Sequence, residues 1–308
     1  METLPALGDV RLFLTVARLG GFSAAARELG ISPGAVSKQI ARLERAFDAS
    51  LFERNTRHVA LTPEGRKIAV HAREALRELE QAAEVAAGRR DALSGVVRLS
   101  APTSFGRKHV TRAIAGFHAE NPDVDFELHL ADRPADLLVN GFDLALAFAN
   151  TSVPDANVVA RRLASSRRVL AAAPAYLERH GVPRVLTDLK AHATLVELAA
   201  GAATGSWPLT NERRRARVAV AGGLRSDSSE VVREWCLEGL GIALCDAWDI
   251  ADDLAAGALA RVLPAWEGEG SVLRAVRLRG EPLPRRVATF MAYAKERWAD
   301  GAEWDRGI

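Results

Sequence analysis

Residues 23 to 62 constrain this chain more than any other stretch: SAAARELGISPGAVSKQIARLERAFDASLFERNTRHVALT. Ser23 is placed to cap a short helix over Ala24 to Leu29, and Gly30 to end it. Ser32 then caps a second helix, with Pro33 in its first turn, where a missing N–H costs nothing. Ala35, Val36, Ile40 and Leu43 recur at helical spacing and predict an inward face. Ser37, Lys38 and Arg42 fall on other sides, and Lys38 and Arg42, four apart, share one exposed face. Two helices joined in this way, the second offering small and basic side chains, suit a DNA major groove. Leu51 and Phe52 anchor the next segment to the core, Arg54 and Arg57 sit on a short loop, and Val59 to Leu61 returns as a strand. The result is a basic-tipped wing for phosphates or a minor groove. Thr62-Pro63 repeats the Ser32-Pro33 device and opens another helix.

Bulk charge does not carry this argument. The chain has 41 Lys/Arg against 39 Asp/Glu, a net charge of +2. Residues 1 to 90 hold 14 Lys/Arg against 11 Asp/Glu. The case for nucleic acid rests on where the charges stand. At 308 residues the chain has room for two or three domains. Its 48% hydrophobic and 26% charged content is that of a soluble globular protein. No apolar run approaches bilayer length, so no membrane partner is expected. The start METLPALGDV has no charged-then-apolar leader, and two Cys without a secretory context point to a reducing cytoplasm.

From Thr62 to about Ala87 the pattern is one long helix. Ile68, Ala72, Ala75, Leu79, Ala82 and Ala86 form a narrow apolar seam, which predicts pairing with a second copy. Gly88 to Asp91 breaks the helix as a hinge. Beyond it, strand and helix patterns alternate. Strands are expected at Val96–Ala101, Val124–Leu130, Asp143–Phe148, Val169–Ala172, Leu195–Leu198, Arg217–Val220 and Ile242–Cys245. Helices are expected at Phe105–Glu120, Pro134–Asn140, Ala175–His180, Ser229–Glu238 and Arg285–Arg297. This alternation predicts an α/β architecture with mainly parallel sheets.

The chain resembles the LysR-type transcriptional regulators. The likeness runs through Phe13, Val16-Ala17, Phe22-Ser23-Ala24-Ala25-Ala26, Ala35-Val36-Ser37, Gln39-Ile40, Leu43-Glu44, Leu51-Phe52 and Leu61-Thr62, and continues more weakly to about Phe290. It implies an N-terminal winged helix-turn-helix over 1–62 and a linker and dimerisation helix with hinge over 63–91. It also implies a two-lobed, periplasmic-binding-protein-like effector domain over 92–308. Lobe one would take about 92–161 and 267–308, lobe two about 162–266. Pro33-Gly34 departs from the Gln-led pair common in the family, so operator preference does not carry over. The implied partners are double-stranded operator DNA, a small-molecule effector, further copies as homodimer or homotetramer, and RNA polymerase. The DNA-binding candidates are Ser23, Ser32, Pro33, Gly34, Ser37, Lys38, Arg42, Arg54 and Arg57.

Pro102, Thr103, Ser104 and Phe105 stand where a strand ends and a helix begins. Free N–H groups and two hydroxyls make an anion site there, at the strand edge where open α/β sheets bind ligands. Simple N-capping uses the same residues. The resemblance favours the effector cleft, with Phe148 at the same edge and Glu197, Arg225 and Asp227 facing from the other lobe. Arg225 and the two hydroxyls favour a small carboxylate, with Phe105 and Phe148 as an apolar wall. Cys236 and Cys245 read as buried, inert thiols. The seven His show no metal-binding spacing, and no GxSxG, P-loop or GxGxxG is present. No metal, cofactor or catalytic site is therefore expected. The competing reading is a solute-binding protein with a vestigial DNA-binding domain. The intact Lys38, Arg42, Arg54 and Arg57 speak against it.

Overall fold

The computed structural model describes residues 5–54, 59–86, 93–132, 141–148, 158–198, 205–220, 222–279, 283–299 and 304. Arg57, the hinge at 88–91 and the helix expected over 134–140 lie outside them.

Three helices, α1 (Leu7–Leu19), α2 (Phe22–Leu29) and α3 (Pro33–Phe47), enclose a small apolar core. Phe13, Val16, Ala25, Val36, Ile40, Leu43 and Leu51 are buried in it. Phe52 meets Phe13 edge-on, ring centres 5.5 Å apart. The strands β1 (Phe52–Arg54) and β2 (Val59–Leu61) pair antiparallel as the wing. Two local expectations are corrected. Helix α2 begins at Phe22 with Gly21 as its cap residue, so Ser23 lies inside the first turn and caps nothing. Arg54 belongs to β1 and not to the loop.

The long helix α4 (Pro63–Ala86) starts as expected, with Thr62 Oγ1 accepting from Gly65 N at 2.8 Å. Its seam is divided between two tasks. Ala69 and Ala72 are buried against the helix-turn-helix core, with Ile68 packed beside them. Ala75, Leu79 and Ala82 are exposed, Leu79 at 51%. Ala72, expected at an intermolecular seam, therefore belongs to its own domain. Only the later turns remain open to a partner.

The remainder is one mixed sheet with helices on its faces, eleven-stranded among the described residues. The strands are β3 (Gly95–Ala101), β4 (Val124–Leu130), β5 (Leu144–Phe148), β6 (Val158–Ala172), β7 (Thr194–Glu197), β8 (Ser206–Thr210), β9 (Arg215–Ala219), β10 (Leu224–Ser226), β11 (Ile242–Asp246), β12 (Ala260–Arg261) and β13 (Glu267–Leu278). The main order is β10-β7-β11-β6-β13-β5-β3-β4. Parallel pairs stand at both ends, β3 with β4 and β5, β7 with β10 and β11. In the middle, β6 and β13 pair antiparallel from Val158↔Leu278 to Val169↔Glu267. These long strands carry the chain between two lobes, and the expectation of mainly parallel sheets is corrected to a mixed one.

Each lobe has its own core. The first packs Val97, Leu99, Phe105, Phe117, Leu144, Phe290 and Trp298. The second is built on Leu170, Tyr176, Trp207, Leu209, Ile242 and Leu244. Cys236 and Cys245 fill its other face. The helical segment after β3 runs as α5 (Thr103–Phe105), a π-helical turn (Gly106–Val110) and α6 (Thr111–Glu120). Helix α7 (Pro174–His180) covers lobe two, α8 (Ser229–Leu237) and α9 (Ala247–Ala255) face the first lobe, and α10 (Arg285–Trp298) closes lobe one. Helix α9 is divided between the cores. Ala247 and Trp248 are buried in the first, and Ile250 in the second.

Candidate functional site

The first candidate surface is α3. Ser32 Oγ accepts from Ala35 N at 3.2 Å, and Pro33 occupies the first turn, so this end is capped as its sequence requires. Val36, Ile40 and Leu43 hold the helix to the core. That orientation leaves Ser32, Pro33, Gly34, Ser37 and Lys38 exposed together at its N-terminal half. No Lys38 ion pair occurs among the described residues. Ser23 on α2 is exposed as well.

Arg42 is not the free cation its spacing suggested. Its Nε and Nη2 donate to Asp9 Oδ2 and Oδ1 at 2.7 and 2.5 Å. Asp9 is buried in α1, and this fork-to-carboxylate pair ties α3 to α1. The bond holds the Arg42 guanidinium above its ordinary pKa. The pair positions α3 against α1, and the outer edge of the Arg42 guanidinium stays exposed.

The second candidate surface lies between the lobes. Ser104 Oγ is 3.3 Å from Ser229 Oγ, where the beginnings of α5 and α8 meet. Arg107 pairs with Glu230 at 2.9 Å, and Lys108 donates to the Asp249 backbone carbonyl. His109 Nε2 lies 2.9 Å from Trp248 O. Every one of these contacts joins the helical segment after β3 to α8 or α9. Ser104, Arg107, Lys108, Glu230, Arg233 and Asp249 line a pocket of about 230 Å³.

Several expected positions need correction. The first N–H of α5, on Thr103, is taken by Asp132 Oδ1 at 2.8 Å, and neither Thr103 nor Ser104 caps the helix. A negative group already stands where an anion was expected to dock. Phe105 is fully buried, packed edge-on against Phe148, Trp248, Trp298 and Trp304, so it forms core and not cleft wall. Phe148 is only partly buried and stacks on Trp248 at 5.5 Å. Glu197 accepts from Arg168 Nη2 at 2.9 Å. Burial raises the Glu197 carboxyl pKa against the pull of Arg168. Arg225 bends onto its own loop, Nε to Gly222 O at 2.8 Å, and makes no contact with Thr103 among the described residues. Pro102 is half-buried beside Thr103, and Asp227 is exposed in the turn before α8.

The residues missed were Ser229, Lys108, Arg107, Glu230, Arg233 and Asp249. Ser226-Asp227-Ser228-Ser229 was the available signal, because Ser228 caps α8 and thereby presents Ser229 in its first turn. Asp249 is buried, and its carboxyl is pushed up to about 7. Desolvation is the main cause, reinforced by Asp246 and Asp253 and opposed by Lys108 and Arg233. The two thiols are free and buried, with Cys236 pushed up to about 12 and Cys245 well above its ordinary value, both by desolvation. Among the described residues no group of three or more His, Cys, Asp or Glu could hold a metal ion. Among them, too, no helix is long and apolar enough to cross a membrane.

Two family models match the sequence. The model of the lysR-family bacterial regulatory helix-turn-helix protein covers residues 7–66, and that of the LysR substrate binding domain covers 90–299. The chain is 38% identical over 266 residues to the HTH-type transcriptional regulator DmlR of Escherichia coli (strain K12), covering 86% of each protein. It is 33% identical over 285 residues to the HTH-type transcriptional activator TtdR of the same strain, covering 92% of this chain and 90% of that one. The fold is similar to the full-length structure of the Vibrio cholerae virulence activator AphB. That match has a TM-score of 0.59 at 24% identity, covering 95% of this chain and 99% of that one.

Proposed function

The chain belongs to the LysR family of bacterial transcriptional regulators, and we propose that it reads an operator with α3 and tunes that binding through a small carboxylate held between its lobes. It is a DNA-binding regulator and not an enzyme. The observation that carries the DNA reading is the capped, core-anchored α3 with Ser37 and Lys38 exposed and unpaired among the described residues. The helix enters the major groove with Ser37 and Lys38 at base edges or phosphates. Ser23, Ser32, Pro33 and Gly34 border the contact, and Arg42, Arg54 and Arg57 add backbone contacts.

The effector reading rests on the pocket's cations. Arg107 and Arg233 are ion-paired, while Lys108 donates to a backbone carbonyl and has the half-neutralised Asp249 carboxyl as its acidic neighbour, so its charge can take a further carboxylate. The Thr103 hydroxyl has no partner among the described residues. Ser104 and Ser229 offer two more hydroxyls, and Phe148 a partly exposed ring for a short-chain or aromatic acid. A ligand bridging Lys108 and these hydroxyls touches both lobes, so it favours one lobe arrangement over another. Differential affinity of that kind is what shifts a population, and coupling of about 1–3 kcal/mol is enough to change operator occupancy.

The domain plan that goes with this reading is 1–62 for DNA, 63–91 for linker and pairing, and 92–308 for effector. Exposed Leu79 and Ala75 support assembly as a homodimer or homotetramer. RNA polymerase is the proposed further partner and the cytoplasm the proposed location. The test is a gel shift on DNA from upstream of the protein's own gene, with calorimetry of the full chain against carboxylates, neutral metabolites and cations. Operator binding that responds to a carboxylate is expected. Binding of a neutral sugar alone would overturn the effector class.

A further inference from the structure

The β8–β9 hairpin of lobe two carries a cationic face that neither α3 nor the cleft uses. The strands pair from Ser206↔Ala219 to Thr210↔Arg215. Trp207, Leu209 and Val218 point into the core. Pro208, Thr210, Arg215, Arg217 and Ala219 are exposed on the other side. The turn is held by Asn211, whose Oδ1 accepts from Arg213 N and Arg214 N at 3.0 and 2.8 Å. That turn exposes Arg213 and Arg214 at the tip.

These charges are not neutralised within the described residues. Arg217 donates to Ser206 Oγ, but the side chains of Arg213, Arg214 and Arg215 make no hydrogen bond or ion pair there. Glu212 is the single acidic residue between 206 and 219. On the neighbouring strand, Glu267 is already shared by Arg167 and Arg261 at 3.2 and 3.6 Å. Glu212 in the turn and exposed Glu269 on β13 are the acidic neighbours, and four guanidiniums outnumber them, so the face keeps a positive excess suited to an anionic partner. It offers no aromatic or large aliphatic anchor of the kind that dominates protein interfaces. Arg215 and Arg217, two apart on a strand, stand about 6.6 Å apart in a row suited to a phosphate backbone.

Resting on the reading that this chain binds DNA, we propose that the β8–β9 hairpin binds the phosphate backbone of duplex DNA outside the segment read by α3. The contact is sequence-independent and acts while α3 holds the same molecule, which raises the local phosphate concentration at the hairpin. Exposed charge on an edge strand also discourages sheet-to-sheet pairing. That role alone leaves DNA affinity untouched.

The experiment compares the full-length chain with the triple variant Arg213→Gln, Arg215→Gln, Arg217→Gln and with the corresponding Arg→Lys triple. Binding is measured by fluorescence anisotropy across a salt series, on random-sequence duplexes of about 20 and about 60 base pairs. On the long duplex the Gln triple is expected to bind about ten-fold or more weakly at low salt. Its salt slope should fall by about 0.9 for each phosphate it no longer neutralises. The short duplex should be bound equally, and the Lys triple should keep most of the long-duplex affinity. Equal affinity and slope on the long duplex would overturn the proposal, as would the same weakening at both lengths. Abolished transcription activation with unchanged DNA binding would assign the face to an acidic protein and also overturn it. Circular dichroism and light scattering confirm that the variants keep fold and assembly. A wild-type chain that binds neither duplex would count against the DNA reading itself, a distinct failure.

Discussion

Lys38 and Arg42 look equivalent in the sequence, four residues apart on one helical face, and their environments separate them. Lys38 is exposed with no ion pair among the described residues, while Arg42 is tied to buried Asp9, 33 residues earlier. No local pattern links positions 9 and 42, so the pair was illegible. Lys38→Ala should leave thermal unfolding unchanged and weaken operator binding. If Lys38 neutralises a phosphate, the salt slope drops by about one unit; if it reads a base, the cost is about 1–3 kcal/mol at one position. Arg42→Ala should lower the melting temperature of the helix-turn-helix domain as well, since it strands the Asp9 carboxylate. Identical melting of wild type and Arg42→Ala would remove the positioning role. Asp249 supplies a pH prediction. In the unfolded chain it ionises near pH 4, whereas the folded chain keeps its proton up to about 7. The folded state therefore binds more protons across that window, and this group's contribution to stability falls as pH rises from about 4 to about 7. Asp249→Asn should flatten that fall and raise the melting temperature at pH 8 relative to wild type. Parallel melting-versus-pH curves for the two proteins would refute it.

Among the elements, the apolar short strands and the capped helices were readable, while the short strands β8, β10 and β12 and the long central strands were not. Val124–Leu130 was expected and found with the same ends, because it alternates and is bounded by turn residues. Strand β6 was legible only in its last four residues. Its earlier part, with Arg161, Arg162, Arg167 and Arg168 among apolar residues, lacks regular alternation. It pairs with β13 along its length through two register shifts, which erase the period-two signal on both strands. Helix α9 was missed although Ala247, Trp248, Ile250, Ala251 and Leu254 recur at helical spacing; the signal was present in the sequence and is shorter than three turns. Gly65 gives a test at this scale. A Cβ there would lie 2.2 Å from the Leu51 carbonyl oxygen, so α4 and the wing approach as backbone against backbone. Gly65→Ala should destabilise the DNA-binding domain by about 1–3 kcal/mol in urea unfolding. A shift below about 0.5 kcal/mol, the range of an ordinary surface substitution, would show that the contact yields easily.

For the whole molecule, the readable part was the order of its parts, and the unreadable part was how they share residues. The winged helix-turn-helix needs contacts only within about sixty residues, so its signals are local. The lobes depend on partners more than a hundred residues apart, such as Ser104 with Ser229 and Lys108 with Asp249. Assembly is tested through α4, whose first turns are committed to the helix-turn-helix core while Leu79 is 51% exposed. Leu79→Glu should convert the oligomer to a smaller species in light scattering and weaken binding to a two-fold operator, with each domain still folded. A wild type that is monomeric at micromolar concentration would contradict that role.

Trp248 lies in the first-lobe core, stacked on Phe148, and Ile250 two residues later lies in the second. A slide of one lobe past the other would disturb both cores at once, and close-packed interiors favour discrete arrangements over intermediate ones. With an effector bound between the lobes as proposed, each protomer is expected to act as a toggle and not a dimmer. Promoter output at partial saturation would then be graded through the fraction of molecules that has flipped, with each molecule in one state or the other.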